Sequence, residues 1–131
     1  MSHLLDVNVL LACAWQSHAN HAKANVWLDR QKHFVTCPIS QLGFLRVSMS
    51  PGYRASFHDA QSVLAEIVSR KSAAFIEDSA AADALPVVTA HGDVTDAYLV
   101  ILAKRHNLRL ATLDITLCAK PWARGIAEKP F

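Results

Sequence analysis

The sequence predicts an α/β domain built on a parallel sheet, and three observations carry that prediction. Short apolar stretches of strand length alternate with capped or amphipathic helical stretches along the chain, the pattern of parallel strands joined by crossover helices. The chain has 131 residues, within the roughly 100–150 typical of one domain, so residues 1–131 are read as a single domain. Hydrophobic residues make up 52% and charged residues 18%, enough apolar side chain for a packed core and too much for intrinsic disorder.

The first strand closes at Leu4-Leu5, just before Asp6, and Val9 to Trp15 follows as a helix with Asn8 as its cap. A second helix spans His18 to Lys32, with Ala19, Ala22 and Val26 on one side. His33 to Thr36 reads as a strand. Pro38 suits a first helical turn, and Ile39, Leu42, Leu45 and Met49 continue at near-helical spacing until Ser50-Pro51-Gly52 stops the helix. The clearest amphipathic signal is Ser56 to Arg70, where Ala60, Val63, Leu64, Ile67 and Val68 share a face. Ala73 to Ile76 fits a strand and Ser79 to Leu85 a short helix. Gly92-Asp93 opens a helix running to His106, and Leu108 to Thr112 is a strand ending just before Asp114. Past Cys118 the pattern dissolves around Pro121, Gly125 and Pro130 into an irregular tail or one weak strand.

Several function classes fall away on composition. Thirteen Lys+Arg against eleven Asp+Glu leave a net charge of +2, too small to neutralise a long phosphate backbone, so any nucleic-acid contact is local. The odd set Cys13, Cys37 and Cys118 contains no C-x-x-C pair and argues for a reducing, cytoplasmic setting. Leu4 to Trp15 imitates a secretory signal ending in Ala12-Cys13-Ala14, but Asp6 interrupts it and no Lys or Arg precedes it. The longest other apolar run, Ala97 to Ala103, is far short of the roughly 18 residues of a membrane span, which predicts a soluble protein. His18 and His21 lack companions for a tetrahedral zinc set. There is no G-x-S-x-G elbow and no glycine-rich phosphate loop.

Four carboxylates remain: Asp6 and Asp114 at the ends of predicted strands, and Asp93 and Asp96 at the start of a helix. Each has an ordinary explanation, because aspartate is favoured at helix starts, caps and turns. Their conjunction argues for more. Parallel sheets bind ligands at the carboxyl ends of their strands, where the order reverses. Carboxylates gathered there repel one another unless a cation neutralises them, and a hard ion such as Mg²⁺ or Mn²⁺ prefers oxygen ligands. Asn8 and Thr112 place polar groups on the same rim, where they would orient carboxylates or bound water; the alternatives are a helix cap and plain strand propensity. Arg46, Arg54, Lys104 and Arg105 offer a basic approach for RNA or a merely solvated surface.

Four blocks occur in a telling order: Leu5-Asp6-Val7-Asn8-Val9-Leu10, Cys37 to Val47, Val94-Thr95-Asp96-Ala97-Tyr98-Leu99 and Ala111-Thr112-Leu113-Asp114. Together they resemble the PIN-domain nucleases, most closely the VapC-type toxins of bacterial toxin–antitoxin pairs, from about His3 to Gly125. The resemblance implies a three-layer α/β/α sandwich with a central parallel sheet and an acidic pocket that binds Mg²⁺ or Mn²⁺ and cleaves single-stranded or looped RNA. It makes Asp6, Asp96 and Asp114 the acidic metal and catalytic residues and Asn8 and Thr112 their polar companions, with Asp93 in a supporting place. It also implies a homodimer held inactive by an antitoxin protein, for which apolar surface around Trp15 and Trp27 is a candidate interface if those residues are not core. The chain departs from the pattern at Gln41, where these nucleases commonly carry glutamate. The competing reading is therefore a PIN-fold module that binds RNA or a partner without cutting. Receiver domains and haloacid-dehalogenase-like phosphatases fit less well, since the chain lacks the early acidic pair of the former and has Asn8 where the latter needs a second aspartate.

Overall fold

The computed structural model describes residues 2–131. Five strands, β1 (His3–Leu5), β2 (Phe34–Thr36), β3 (Ala73–Phe75), β4 (Arg109–Ala111) and β5 (Ala127–Glu128), form one sheet in the order β3-β2-β1-β4-β5, with every neighbouring pair parallel. The chain builds outward from β1 on one side through β2 and β3, then crosses to the other side as β4 and β5. The order therefore reverses between β1 and β4.

Six helices cover the sheet: α1 (Val7–Ala14), α2 (His21–Arg30), α3 (Pro38–Ser48), α4 (Phe57–Val68), α5 (Val94–Arg105) and α6 (Ile115–Cys118). Alternation along the strands sorts them into two layers. Leu5, Phe34 and Ala111 face one core with Val9 and Leu10 of α1, Leu28 of α2, Phe44 of α3 and Leu64 of α4. Leu4, Val35 and Leu110 face the other, against Leu99, Val100 and Leu102 of α5 and Leu117 of α6. The result is the expected three-layer α/β/α sandwich with a parallel sheet.

Several boundaries differ from the sequence reading, each for a local reason. Helix α1 begins at Val7, and Asp6 stands at its cap, accepting from Val7 N at 2.8 Å. Asn8 is thus inside the first turn and is not the cap. The Ser79 to Leu85 helix shrinks to a 3-10 turn at Ala82–Ala84 with no buried residue, because the only large apolar side chain of this alanine-rich stretch, Leu85, stands at its end and is only half-buried. Helix α6 was not anticipated; Asp114 caps it through Thr116 N and Leu117 N. The tail supplies β5, the weak-strand alternative. His3 and Arg109 both reach the Glu128 carboxylate, at 2.6 and 2.7 Å, and tie β5 to the sheet.

The apolar segment from Leu4 to Trp15 forms β1 and α1, whose residues Leu4, Leu5, Val9, Leu10 and Ala12 are fully buried. Trp15 is half-buried, stacked on Phe44 at 6.1 Å and donating to Ser48 Oγ at 2.9 Å. Trp27 packs edge-on against His3. No helix among the described residues is long and apolar enough to cross a membrane.

Gly43 marks a close approach of α3 to the start of α1. A Cβ there would lie 2.5 Å from Val7 Cγ2, and a β-branched valine has little rotameric freedom to yield. Gly43→Ala is expected to destabilise the protein by about 1–3 kcal/mol, despite alanine's higher helix propensity. Urea unfolding of the two proteins checks this.

Candidate metal-binding acidic site

Three strand ends meet at the switch point. Asp6 follows β1, Thr112 and Asp114 follow β4, and Thr36 ends β2, the neighbour of β1 on its other side. Helix α5 brings Asp96 to the same edge in its first turn. The parallel ladder continues past the strands, with Asp6 N donating to Ala111 O at 3.0 Å, so Asp6 and Thr112 are held in register by backbone.

Thr112 Oγ organises the centre. It donates to Asp6 Oδ2 at 2.8 Å and accepts from Asn8 Nδ2 at 3.2 Å and from Asp114 N at 3.1 Å. Asn8 Oδ1 in turn accepts from Leu113 N at 3.0 Å. One hydroxyl, fully buried, thereby links three of the residues singled out in the sequence and uses its donor and both lone pairs. The cap and strand-propensity explanations of Asn8 and Thr112 leave these contacts unaccounted for.

The carboxylates are arranged unequally. Asp6 is buried, with Oδ1 on Val7 N and Oδ2 on Thr112. Burial pushes its carboxyl above the ordinary range; the hydrogen bonds from Thr112 and Val7 oppose that, and the charge of Asp114 adds to it. Asp96 is half-buried and is pushed up to about 6, first by burial and then by the charges of Asp6, Asp114 and Asp93, with no hydrogen bond offsetting the rise. Asp114 is exposed and spends Oδ1 on the α6 cap. Asp93 occupies the cap position of α5 without a capping hydrogen bond, because its carboxylate turns to Lys120 Nζ at 3.3 Å. The capping explanation weighed for Asp93 is thus not what the side chain does.

Gln41 projects from α3 to the same edge, and its Nε2 donates to Thr36 Oγ1 at 3.0 Å. The sequence reading missed two participants here. Thr36 anchors the glutamine and is buried, and Lys120 is the cation paired with Asp93. Thr36 carried a signal, a polar residue closing an apolar strand; Lys120 lay in the stretch without periodicity and carried none.

This donor set suits a hard cation. All the candidate ligands are carboxylate oxygens, and Asp96 has neither a hydrogen bond nor a neighbouring positive charge among the causes of its shift. Among the described residues, no three acidic, histidine or cysteine side chains stand close enough to ligate one ion together. A bound ion would therefore take one or two carboxylates directly and complete its shell with water, the habit of Mg²⁺, which dehydrates reluctantly.

A parallel sheet with carboxylates gathered at its topological switch point defines a class of α/β proteins that handle cations and phosphoryl groups there. The comparisons with known proteins are specific within that class. The PIN domain family matches residues 3–122. Ribonuclease VapC38 of Mycobacterium tuberculosis is 38% identical over 118 residues, covering 85% of this chain and 84% of that protein. Among solved structures, VapBC2 from Rickettsia felis, bound to a DNA fragment from its promoter, superposes with a TM-score of 0.65 at 16% identity, covering 98% of both chains. M. tuberculosis VapC20, a toxin that cleaves the sarcin-ricin loop, gives 0.64 at 13% identity, covering 91% of this chain and 94% of that one. The chain belongs to the PIN domain family, and its curated relatives are VapC ribonucleases.

Two outcomes test the geometry. Asp96 binds its proton more tightly in the fold than in the unfolded chain, so protonation contributes stability that is fully present below the ordinary value of 3.8 and is lost as pH rises through about 6. Asp96→Asn is therefore expected to raise the Tm of metal-free protein at about pH 7–8, with the gain gone near pH 3.5, in melts across that range. Thr112→Val leaves Asp6 Oδ2 and the Asn8 amide without their shared partner, and chemical unfolding should show a loss of about 1–3 kcal/mol.

Proposed function

We propose that this chain, acting as one PIN-like nuclease unit over residues 1–131, is a Mg²⁺- or Mn²⁺-dependent endoribonuclease and the toxin of a toxin–antitoxin pair. The observation that carries the metal reading is the convergence of Asp6, Asp96 and Asp114 at the switch point, close enough that the charges of Asp6 and Asp114 add to burial in raising Asp96. The VapC ribonuclease relatives supply the substrate class.

Asp6 and Asp96 would hold the ion directly, and Asp114 would reach it through a bound water. When bound, such an ion supplies positive charge for the scissile phosphate and lowers the pKa of an attacking water. The chain's own residues do the positioning. Thr112 and Val7 N fix the Asp6 carboxylate while leaving a lone pair on each oxygen. The two α6 amide donors fix Asp114 through one oxygen. Asn8 braces Thr112 and the backbone after β4, so the carboxylates do not reorganise as charge develops on the phosphate, the arrangement that electrostatic catalysis requires. Gln41 carries no negative charge and does not serve as a base; with one N–H on Thr36 it has a second donor and its carbonyl for water or phosphate.

The partners follow the same reading. A cognate antitoxin protein would block the acidic edge, and the toxin would be a cytoplasmic homodimer. Recognition of RNA would rest on shape and unpaired bases, in keeping with a net charge of only +2. The alternative, a PIN-fold module that binds RNA without cutting it, draws on Gln41 standing where the family commonly has glutamate.

Antitoxin-free protein is expected to cut RNA in Mg²⁺ or Mn²⁺, to stop in EDTA, and to lose at least about 100-fold in rate on Asp96→Asn, read on denaturing gels. Activity absent in the wild type and gained with Gln41→Glu would instead favour the binding module.

A further inference from the structure

We propose that the cavity beside the acidic centre seats one unpaired nucleotide of the RNA adjoining the cleaved bond, with Arg46 on its phosphate. The inference rests on the ribonuclease reading and names a specificity determinant within it. The cavity, of about 260 Å³, is walled by Val7, Ile39, Leu42, Gly43, Arg46 and Thr95. Its walls adjoin the centre along the chain: Val7 follows Asp6, Thr95 precedes Asp96, and Ile39 and Leu42 stand on either side of Gln41. A strand whose phosphate lies among the carboxylates can therefore reach this opening without leaving the surface.

Size and chemistry both suit a nucleotide. The volume lies just below the roughly 300–1,000 Å³ of sites that enclose whole small molecules, which matches a single base-sized group. Ile39, Leu42 and Arg46 recur at three- and four-residue spacing on α3, so they form one stripe. Leu42 is 64% exposed, an apolar side chain in water beside a charged one. Proteins hold unpaired bases on stacking surfaces that include the Arg guanidinium plane and bind the backbone with cations; here Arg46 offers the guanidinium, and Ile39 and Leu42 offer aliphatic contact in place of an aromatic platform. Among the described residues Arg46 has no carboxylate partner, whereas Lys120, the other cation at this edge, is engaged with Asp93. A phosphate neighbouring an acidic centre needs a cation to offset repulsion, and Arg46 supplies it. The Gly43–Val7 contact keeps the α3 wall close to the start of α1.

The test compares wild type, Arg46→Gln, Leu42→Asp and Lys23→Gln, the last on α2 away from the cavity. Both altered residues of the cavity are exposed, so folding is not at stake, and far-ultraviolet circular dichroism verifies it. With Mn²⁺ and short single-stranded RNAs differing at the base next to the cut, Arg46→Gln and Leu42→Asp are expected to raise KM about tenfold, with a much smaller change in kcat, and to flatten the preference at that base. Lys23→Gln should match wild type. Unchanged KM and preference in both cavity variants, or an equal loss in Lys23→Gln, would overturn the proposal. So would variants that cut RNA normally but escape inhibition by the antitoxin, since the cavity would then seat a protein segment. If the wild type cuts nothing, the ribonuclease reading fails separately. Fluorescence anisotropy with the same RNAs in EDTA then decides the cavity: weaker binding by Arg46→Gln than by Lys23→Gln supports it, and equal binding rejects it.

Discussion

The hydroxyl of Thr112 is the point on which the acidic edge depends. Buried between β1 and β4, it joins Asp6, Asn8 and Asp114 N through one oxygen whose donor and acceptors are all used. A buried carboxylate such as Asp6 is tolerable only when its oxygens are hydrogen-bonded. The threonine meets that need and at the same time ties the end of one central strand to the start of the helix after the other. Orientation of Asp6, of the α1 start and of the turn into α6 are thus one structural event.

Parallel pairing explains why this event can occur where it does. Because β1 and β4 are neighbours running in the same direction, their carboxyl ends and the turns that follow lie side by side. The strand order reverses there, so the outgoing connections diverge and leave an open crevice instead of a packed helix. Repulsion among Asp6, Asp96, Asp93 and Asp114 is the electrostatic consequence. It disfavours the metal-free fold slightly and favours any cation that enters, so the same charges that cost stability confer affinity. Lys120 moderates the repulsion at Asp93 only, leaving Asp96 uncompensated.

Much of the fold was legible in the sequence because its signals are local. Periodic apolar residues marked α4, Pro38 marked the start of α3, and Ser50-Pro51-Gly52 marked its end. Errors came where local and tertiary preferences compete. Asn8 is a good cap by type, but β4 offered its amide a partner, and Asp6 took the cap. Asp93 is likewise a good cap, but Lys120 stands nearby in space. Helix α6 is four residues long, too short to show a period, and forms because Asp114 caps it and Leu117 reaches the core.

The sequence by itself determined the element order, the burial alternation that makes two layers on one sheet, and the residue types able to bind a hard cation, since these follow from side-chain chemistry and short-range spacing. Only the tertiary structure decided which of those residues share an environment. Asp6 and Thr112 are 106 positions apart, and nothing local couples them; it takes the pairing of β1 with β4 to bring their side chains within hydrogen-bond reach. The same holds for Lys120 with Asp93 and for the cavity shared by α1, α3 and α5, each of which exists because elements distant along the chain pack against one sheet.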